Sequence, residues 1–255
     1  MWDDIERKKR QLDAIRPLTA RSLAVLDAWY DVELTYTSNA IEGNTLSRSE
    51  TAIVLEKGFT VRGKPLKDHM EAVDHKAALD YVRVLASRNE PLRESDMREL
   101  HRLVLLRSNP AEAGRYSQYR RAIAGSAVSF PSPAQIGPLM GDLGRWLAGV
   151  DPSPENAFEA HYRLVSVHPF SDGNGRTSRL LMNLLLLRGG YPPVVIGPEH
   201  RPDYIDALEL RQTTGEAELY DRFMASRLLA SLTDYLEHLG KELEGREGEV
   251  PSLPD

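Results

Sequence analysis

The sequence predicts an all-α, mainly helical protein, and three observations carry that prediction. Apolar residues recur at three- and four-residue spacing along most of the chain, as on one face of a helix. The periodic stretches begin at capping residues such as Thr19, Ser47 and Ser95 and stop at glycine or proline. Strand-like composition is confined to one stretch, residues 114–133. At 255 residues and 41% hydrophobic content, the chain can bury one sizeable core, and no internal repeat or low-complexity region divides it.

Residues 2–16 read as a short charged helix ending near Pro17, suited to packing or to a homodimer contact. Thr19 caps a helix in which Leu23, Leu26, Tyr30, Leu34 and Ile41 keep helical spacing through Glu42, and Gly43 stops it. Ser38 and Glu42 lie four apart near the end of that helix and share a face, where the helix dipole disfavours an acid. On these residues alone, Glu42 is a solvent-exposed glutamate ahead of a capping glycine. Ser47 and Glu50 form a capping box with Leu46 as its staple, and Gly58 ends that helix. A longer helix over about 65–87 puts Met70, Val73, Ala77, Asp80 and Val84 on one face, and Ser95 caps another running to about Arg107. His69, His75 and His101 have no companion ligand at useful spacing and read as surface or hydrogen-bonded histidines.

Residues 114–133 replace helical periodicity with glycine, serine and β-compatible residues, which fits a small surface hairpin or a plain connecting loop. A helix over about 133–148 follows. The Pro152–Pro154 turn then starts the helix NAFEAHYRLVSV, in which His161 reads as packed because no third ligand accompanies it and His168. LLMNLLLL is a buried helix ended by Gly189 and Gly190, YPPVVI is extended, DYIDALELRQ is helical, and a last helix spans about 217–239. The expected organisation is an N-terminal helical segment, 1–44, a core, 45–240, and a charged, proline-containing tail, 241–255, expected to be disordered.

Composition narrows the function classes. The net charge of −6 argues against a general nucleic-acid binder, which normally presents a basic face. The absence of cysteine excludes disulfides and thiolate metal sites. MWDDIERKKRQLDAI lacks the apolar run of a signal peptide, and no apolar run approaches the roughly 20 residues that span a bilayer. The expectation is a cytoplasmic protein with no membrane or nucleic-acid partner. No GxxxxGK(S/T) follows a strand, so a Walker-type ATPase is not expected.

The chemistry concentrates in HPFSDGNGRTSR, His168 to Arg179, slung between two helices. Gly173 and Gly175 let the backbone turn and approach a ligand, so that the main-chain N–H groups of Gly173, Asn174 and Gly175 face outward where the next helix begins, a setting that binds anions. Arg176 and Arg179 lie three apart on its first turn, and two guanidinium groups beside such donors suit a polyphosphate such as ATP. Asp172 would repel phosphate unless Mg²⁺ sat between them. His168 supplies a base that titrates near neutrality, and Phe170 is an apolar anchor for the loop.

This string resembles the HPFx(D/E)GNGRxxR signature of Fic domain proteins at every specified position. The likeness extends over roughly Thr35 to Met224, where GNGRTSRLLMNLLLLRGGYPPVVI and RPDYIDALE look close to the Fic enzymes of the animal endoplasmic reticulum. The resemblance implies the Fic helical fold with a β-hairpin flap at 114–133, against which a target protein docks by strand addition. It implies transfer of AMP from ATP to a target hydroxyl, with His168 as base, Mg²⁺ on Asp172, the Asn174 side chain near the α- or β-phosphate, and Arg176 and Arg179 on the β- and γ-phosphates. SNAIEGN, Ser38 to Asn44, is similar to the inhibitory (S/T)xxxE(G/N) motif of the family, which implies that Glu42 pairs with Arg179 and keeps the enzyme autoinhibited. The base pocket implied by the resemblance is Tyr204, Leu208 and Gln212, with Gln212 where relatives often carry Asn; on spacing alone all three fit core or surface. Self-modification is a further expectation, since the flap and the N-terminus carry hydroxyl residues. The alternatives are a phosphodiesterase that removes AMP, with Glu42 orienting water, and a nucleotide-binding regulatory module with negligible turnover.

Overall fold

A computed structural model describes residues 1–122 and 127–247, and among these every regular element is helical. The longer elements are α1 (Trp2–Ile15), α2 (Ala20–Ile41), α3 (Arg48–Ala52, continued by a π turn, Ile53–Lys57), α4 (Leu66–Ala86), α5 (Glu94–Val104), α6 (Pro133–Leu147), α7 (Pro154–Val167), α8 (Asn174–Arg188), α9 (Arg201–Thr214) and α10 (Glu218–Glu247).

The core forms around α8. After its first two turns the sequence NGRTSRLLMNLLLLR is apolar around the helix except for Asn183, whose amide is satisfied by the Val194 backbone, and a helix with no solvated face has to be surrounded. Helices α7, α4 and α5 pack around it, and the end of α2 reaches its first turns. Leu181, Leu184 and Leu186 are completely buried. Each such leucine contributes about 1.5–3 kcal/mol of transfer free energy, and Leu184→Ala would cost about 2–5 kcal/mol through the cavity it leaves. On the far side α10 packs against α9 and α1. The apolar side of α1, Ile5 and Leu12, is thereby buried within the chain's own core.

The capping residues act locally as expected. Thr19 accepts from Ser22 N at 3.1 Å, and Ser47 and Glu50 form a reciprocal capping box over α3 with Leu46 buried beside it. Several expectations are corrected. Leu23 is exposed, whereas Leu26, Tyr30, Leu34 and Ile41 are buried. Helix α5 begins at Glu94, with Asp96 accepting from Arg93 N at 2.7 Å, so Ser95 sits inside the first turn. The face of α4 holding Met70, Val73, Ala77, Asp80 and Val84 is the outer one. The inner face carries Asp68, His69, Glu71, Asp74 and His75 beside Ala78, Leu79, Val82 and Leu85, and its polar members are satisfied by other segments. Asp74, for example, accepts from Arg107 N and Ser108 N, both at 2.8 Å.

Helix α10 continues to Glu247, past the expected start of a disordered tail, because Lys, Glu and Leu are good helix formers; the remainder of the expected tail, 248–255, lies outside the described residues. The expected β-hairpin is not formed among the described residues. In its place Tyr116 makes one isolated antiparallel bridge to Phe170, and residues 123–126 of the stretch expected to form the hairpin fall outside the described residues.

Candidate active site

Helix α7 ends by turning His168 into the left-handed region, φ 49° and ψ 53°. It is the one non-glycine residue with positive φ among those described, a conformation that costs on the order of 1 kcal/mol or more. Pro169 disfavours continued helix at the preceding residue, so the chain must leave the helix here. The turn swings the imidazole against Phe130, with ring centroids 4.2 Å apart. Nδ1 lies 3.3 Å from the Val165 carbonyl, which can only accept, so a proton on Nδ1 leaves the Nε2 lone pair free. Burial, reinforced by the nearby Arg121 charge, holds the His168 pKa below its ordinary value against the opposing pull of Val165 O and Glu42. The ring is therefore a neutral base at neutral pH.

The loop that follows is fastened from inside. Phe170 is completely buried and stacks on His101 at 3.6 Å, the rings 5° from parallel. His101 Nδ1 accepts from Gly114 N at 3.0 Å and Nε2 donates to Asp172 O at 2.9 Å, so one neutral ring ties the loop to the segment entering 114–133. Burial lowers its pKa to about 4. The only sequence signal for this role is that His101 shares the α5 face of Met97, Leu100 and Val104, all buried.

Asn174 turns inward too. Its Oδ1 accepts from Phe170 N at 2.9 Å and its Nδ2 donates to Phe170 O at 2.8 Å. This corrects the expectation that its side chain faces the phosphates, because both ends of the amide are used in closing the loop. Its backbone N–H, with those of Gly175 and Arg176, belongs to the first turn of α8, where no carbonyl one turn earlier is available. Gly173 is at φ 75°.

The arginines part company. Arg176 is buried, 3.3 Å from Glu71 on α4 and 3.1 Å from Asp172 Oδ1. It therefore does not join Arg179 in one clamp: residues three apart point about 60° apart around a helix, and in a surrounded helix that difference selects a different neighbour. Arg179 faces α2. Its Nε donates to Ser38 Oγ at 3.0 Å, and Nη2 donates to Ser38 O at 2.9 Å and Glu42 Oε1 at 2.7 Å. The Glu42 carboxylate lies directly over Gly175, where any Cβ would collide with Oε1. It thus occupies the anion position at the start of α8.

Asp172 offers the carboxylate expected for a metal. Its Oδ1 accepts from Gly173 N at 2.6 Å and pairs with Arg176, and its side chain is 41% exposed. Among the described residues no group of three or more His, Asp or Glu is arranged to hold a metal. One exposed carboxylate fits Mg²⁺ that takes its other ligands from phosphate and water.

Beside His168 a pocket is lined by Val128, Phe130, Val165, Ile205, Leu208 and Gln212. Of the three residues expected for a base pocket, Leu208 and Gln212 line this one, and Gln212 Nε2 donates to Ser166 Oγ at 3.1 Å. Tyr204 is not: it is buried, with its hydroxyl 2.7 Å from His161 Nε2. The α9 residue that turns to the pocket is Ile205, one position on. Arg121, from the segment expected to be a flap, donates to the Ser171 carbonyl, a contact that sequence spacing does not reveal.

A neutral histidine, a helix start with open N–H groups, a buried arginine and a half-exposed aspartate converge on one loop of a helical bundle, an arrangement chemically suited to an anion. Residues 91–186 match the Fic/DOC family. The chain is 37% identical over 238 residues to the protein adenylyltransferase Fic of Aedes aegypti, covering 91% of this chain and 47% of that protein. Fic-1 of Caenorhabditis elegans, solved over its residues 134–508, superposes with a TM-score of 0.79 at 32% identity, covering 92% of this chain and 69% of that one. A Fic domain signalling protein from Bacteroides thetaiotaomicron superposes with a TM-score of 0.84 at 29% identity, covering 92% and 96%. The chain belongs to the Fic/DOC family. It spans about half the length of the curated relatives it matches.

Proposed function

We propose that this protein is a protein adenylyltransferase, transferring AMP from ATP to a hydroxyl side chain of a target protein, and that Glu42 holds it shut. The observation that carries the reading is the Glu42 carboxylate on the α8 N-terminus, paired at 2.7 Å with Arg179, where a phosphate would otherwise sit. The relatives named as protein adenylyltransferases support it.

With ATP bound, the first-turn N–H groups of α8 receive phosphate oxygens and Arg179 takes the γ-phosphate. The Nε2 of His168 accepts the proton of the target hydroxyl as its oxygen forms a bond to the α-phosphorus and the bond to pyrophosphate breaks. The Asp172 carboxylate would hold Mg²⁺, which when bound would supply neutralisation of the charge that develops on the leaving group. Phe130, Ile205, Leu208 and Gln212 receive the base, and the target segment lies along 114–133. Glu42 on Arg179 leaves the triphosphate without its γ anchor and misaligns the α-phosphate.

The test is incubation of the wild type and Glu42→Gly with ATP labelled at the α-phosphate and a cell extract, followed by mass spectrometry of the labelled proteins. An AMP adduct on Ser, Thr or Tyr, requiring His168, supports the reading. ATP binding without any adduct from either protein would instead identify a nucleotide-binding module.

A further inference from the structure

Glu42 is the first residue beyond α2, and the chain turns away immediately after it, Gly43 being at φ 95°. The final carbonyls of a helix have no N–H one turn on, so a side chain carried there is loosely placed unless other groups hold the last peptide units. Asn39 O accepts from Glu42 N at 3.0 Å and from Asn44 N at 3.1 Å, and Ala40 O accepts from Gly43 N at 3.0 Å. The Ile41 carbonyl takes none of these donors. Its partner is Arg201, the first residue of α9, whose Nε donates to it at 2.9 Å across 160 residues of sequence.

Ile41 O and Glu42 N belong to one peptide plane. That plane is therefore held at both polar ends, its N–H by Asn39 O and its carbonyl by Arg201. Its orientation sets the direction in which the Glu42 Cα–Cβ bond leaves the turn, and so whether the carboxylate reaches Arg179 Nη2, which it does at 2.7 Å. A guanidinium at the C-terminal end of a helix also meets the negative end of the helix dipole. Arg201 is exposed, yet its backbone is fixed, because the short turn Pro198–His200 before it packs on α2. It lies one turn ahead of Ile205, which lines the pocket beside His168, and is not itself part of that lining.

We propose that Arg201 is a positioning residue for the inhibitory glutamate: by holding the Ile41 carbonyl it seats Glu42 on Arg179 and over the α8 N-terminus. It touches no reacting atom, and its effect on transfer rests on the reading of Glu42 as the inhibitor. The inhibitory turn is thereby fastened to the helix that lines the base pocket, so the strength of inhibition depends on where α9 begins.

Two measurements on the full chain test this. Hydrogen exchange followed by NMR should show the Glu42 and Gly43 amides exchanging roughly tenfold faster in Arg201→Ala, the equivalent of one exposed hydrogen bond to a charged group, with the amides of α2 up to Leu34 unchanged. Arg201→Lys, which keeps a cationic donor, should restore most of the protection. Exchange at Glu42 and Gly43 indifferent to Arg201→Ala, or an increase spread along α2, overturns the positioning role whether or not the protein transfers AMP. With α-labelled ATP, Arg201→Ala should raise transfer by roughly three- to tenfold and should have no effect in the Glu42→Gly background. Transfer unchanged by Arg201→Ala while Glu42→Gly is activated, or changed equally with Glu42 present and absent, also overturns it. If Glu42→Gly itself transfers nothing, the expected exchange result leaves Arg201 seating the turn, and the adenylyltransferase reading is what fails.

Discussion

Replacing Glu42 by glycine removes one of three hydrogen-bond contacts that α2 makes to Arg179 and leaves the two from Ser38. The lost contact is a 2.7 Å ion pair in which the arginine side chain is 6% exposed and the glutamate 38%. A hydrogen bond between charged groups is worth about 1.5–3 kcal/mol, and solvent at the glutamate end screens it toward the lower figure. Each ~1.4 kcal/mol is a factor of ten, so freeing Arg179 gains about tenfold. Misplacing a reacting atom by about 1 Å costs roughly a hundredfold, which sets the upper end when the γ-phosphate anchor also realigns the α-phosphate. Transfer of label from α-labelled ATP should therefore rise by about ten- to a hundredfold in Glu42→Gly. Glu42→Gln keeps an acceptor for Arg179 without the charge and should fall between. Because the Ser38 bonds persist, thermal unfolding should change little. If Glu42→Gly is folded, binds ATP and is no more active than wild type, the inhibitory assignment is refuted.

The remaining predictions concern the other groups of the site and the buried histidines. His168→Ala in the Glu42→Gly background should abolish transfer while leaving ATP binding intact by calorimetry. The acid limb of its kcat/KM profile should lie below pH 6.5, because the active form is the neutral ring and burial lowers its pKa; a limb above that value would contradict the assigned environment. Asp172→Asn should remove the Mg²⁺ dependence of transfer together with most of the activity, and Mg²⁺ titration of both proteins checks it. Burial pushes His75 and His161 from 6.5 to about 3, and His101 to about 4. Between those values and 6.5 the unfolded chain binds more protons than the folded one, so stability rises with pH across the window. Tm should fall as pH drops below about 6.5, and His75→Gln should flatten the slope if it folds.

The amino-acid sequence alone determined what is local. Thr19, Ser47 and Glu50 cap their helices through neighbours within four residues, and Pro169 with Gly173 and Gly175 shapes a loop whose residue types already spell anion binding. The family likeness lies in the same contiguous stretches. Tertiary structure decided what each face meets. Spacing places residues on a common face of α4 but does not say which face is covered, and here the covered one is rich in acids and histidines whose partners lie far along the chain. Arg176 and Arg179 look equivalent in sequence, yet Glu71 claims one and Ser38 with Glu42 claims the other, because different helices flank the two sides of α8. Asn174 closes its own loop, and Tyr204 enters the core while Ile205 lines the pocket, a difference of one residue in how α9 is rotated. Such choices depend on the packing of surrounding helices around one that is buried along most of its length, polar first turns included, and a one-dimensional pattern carries no record of which neighbour arrives.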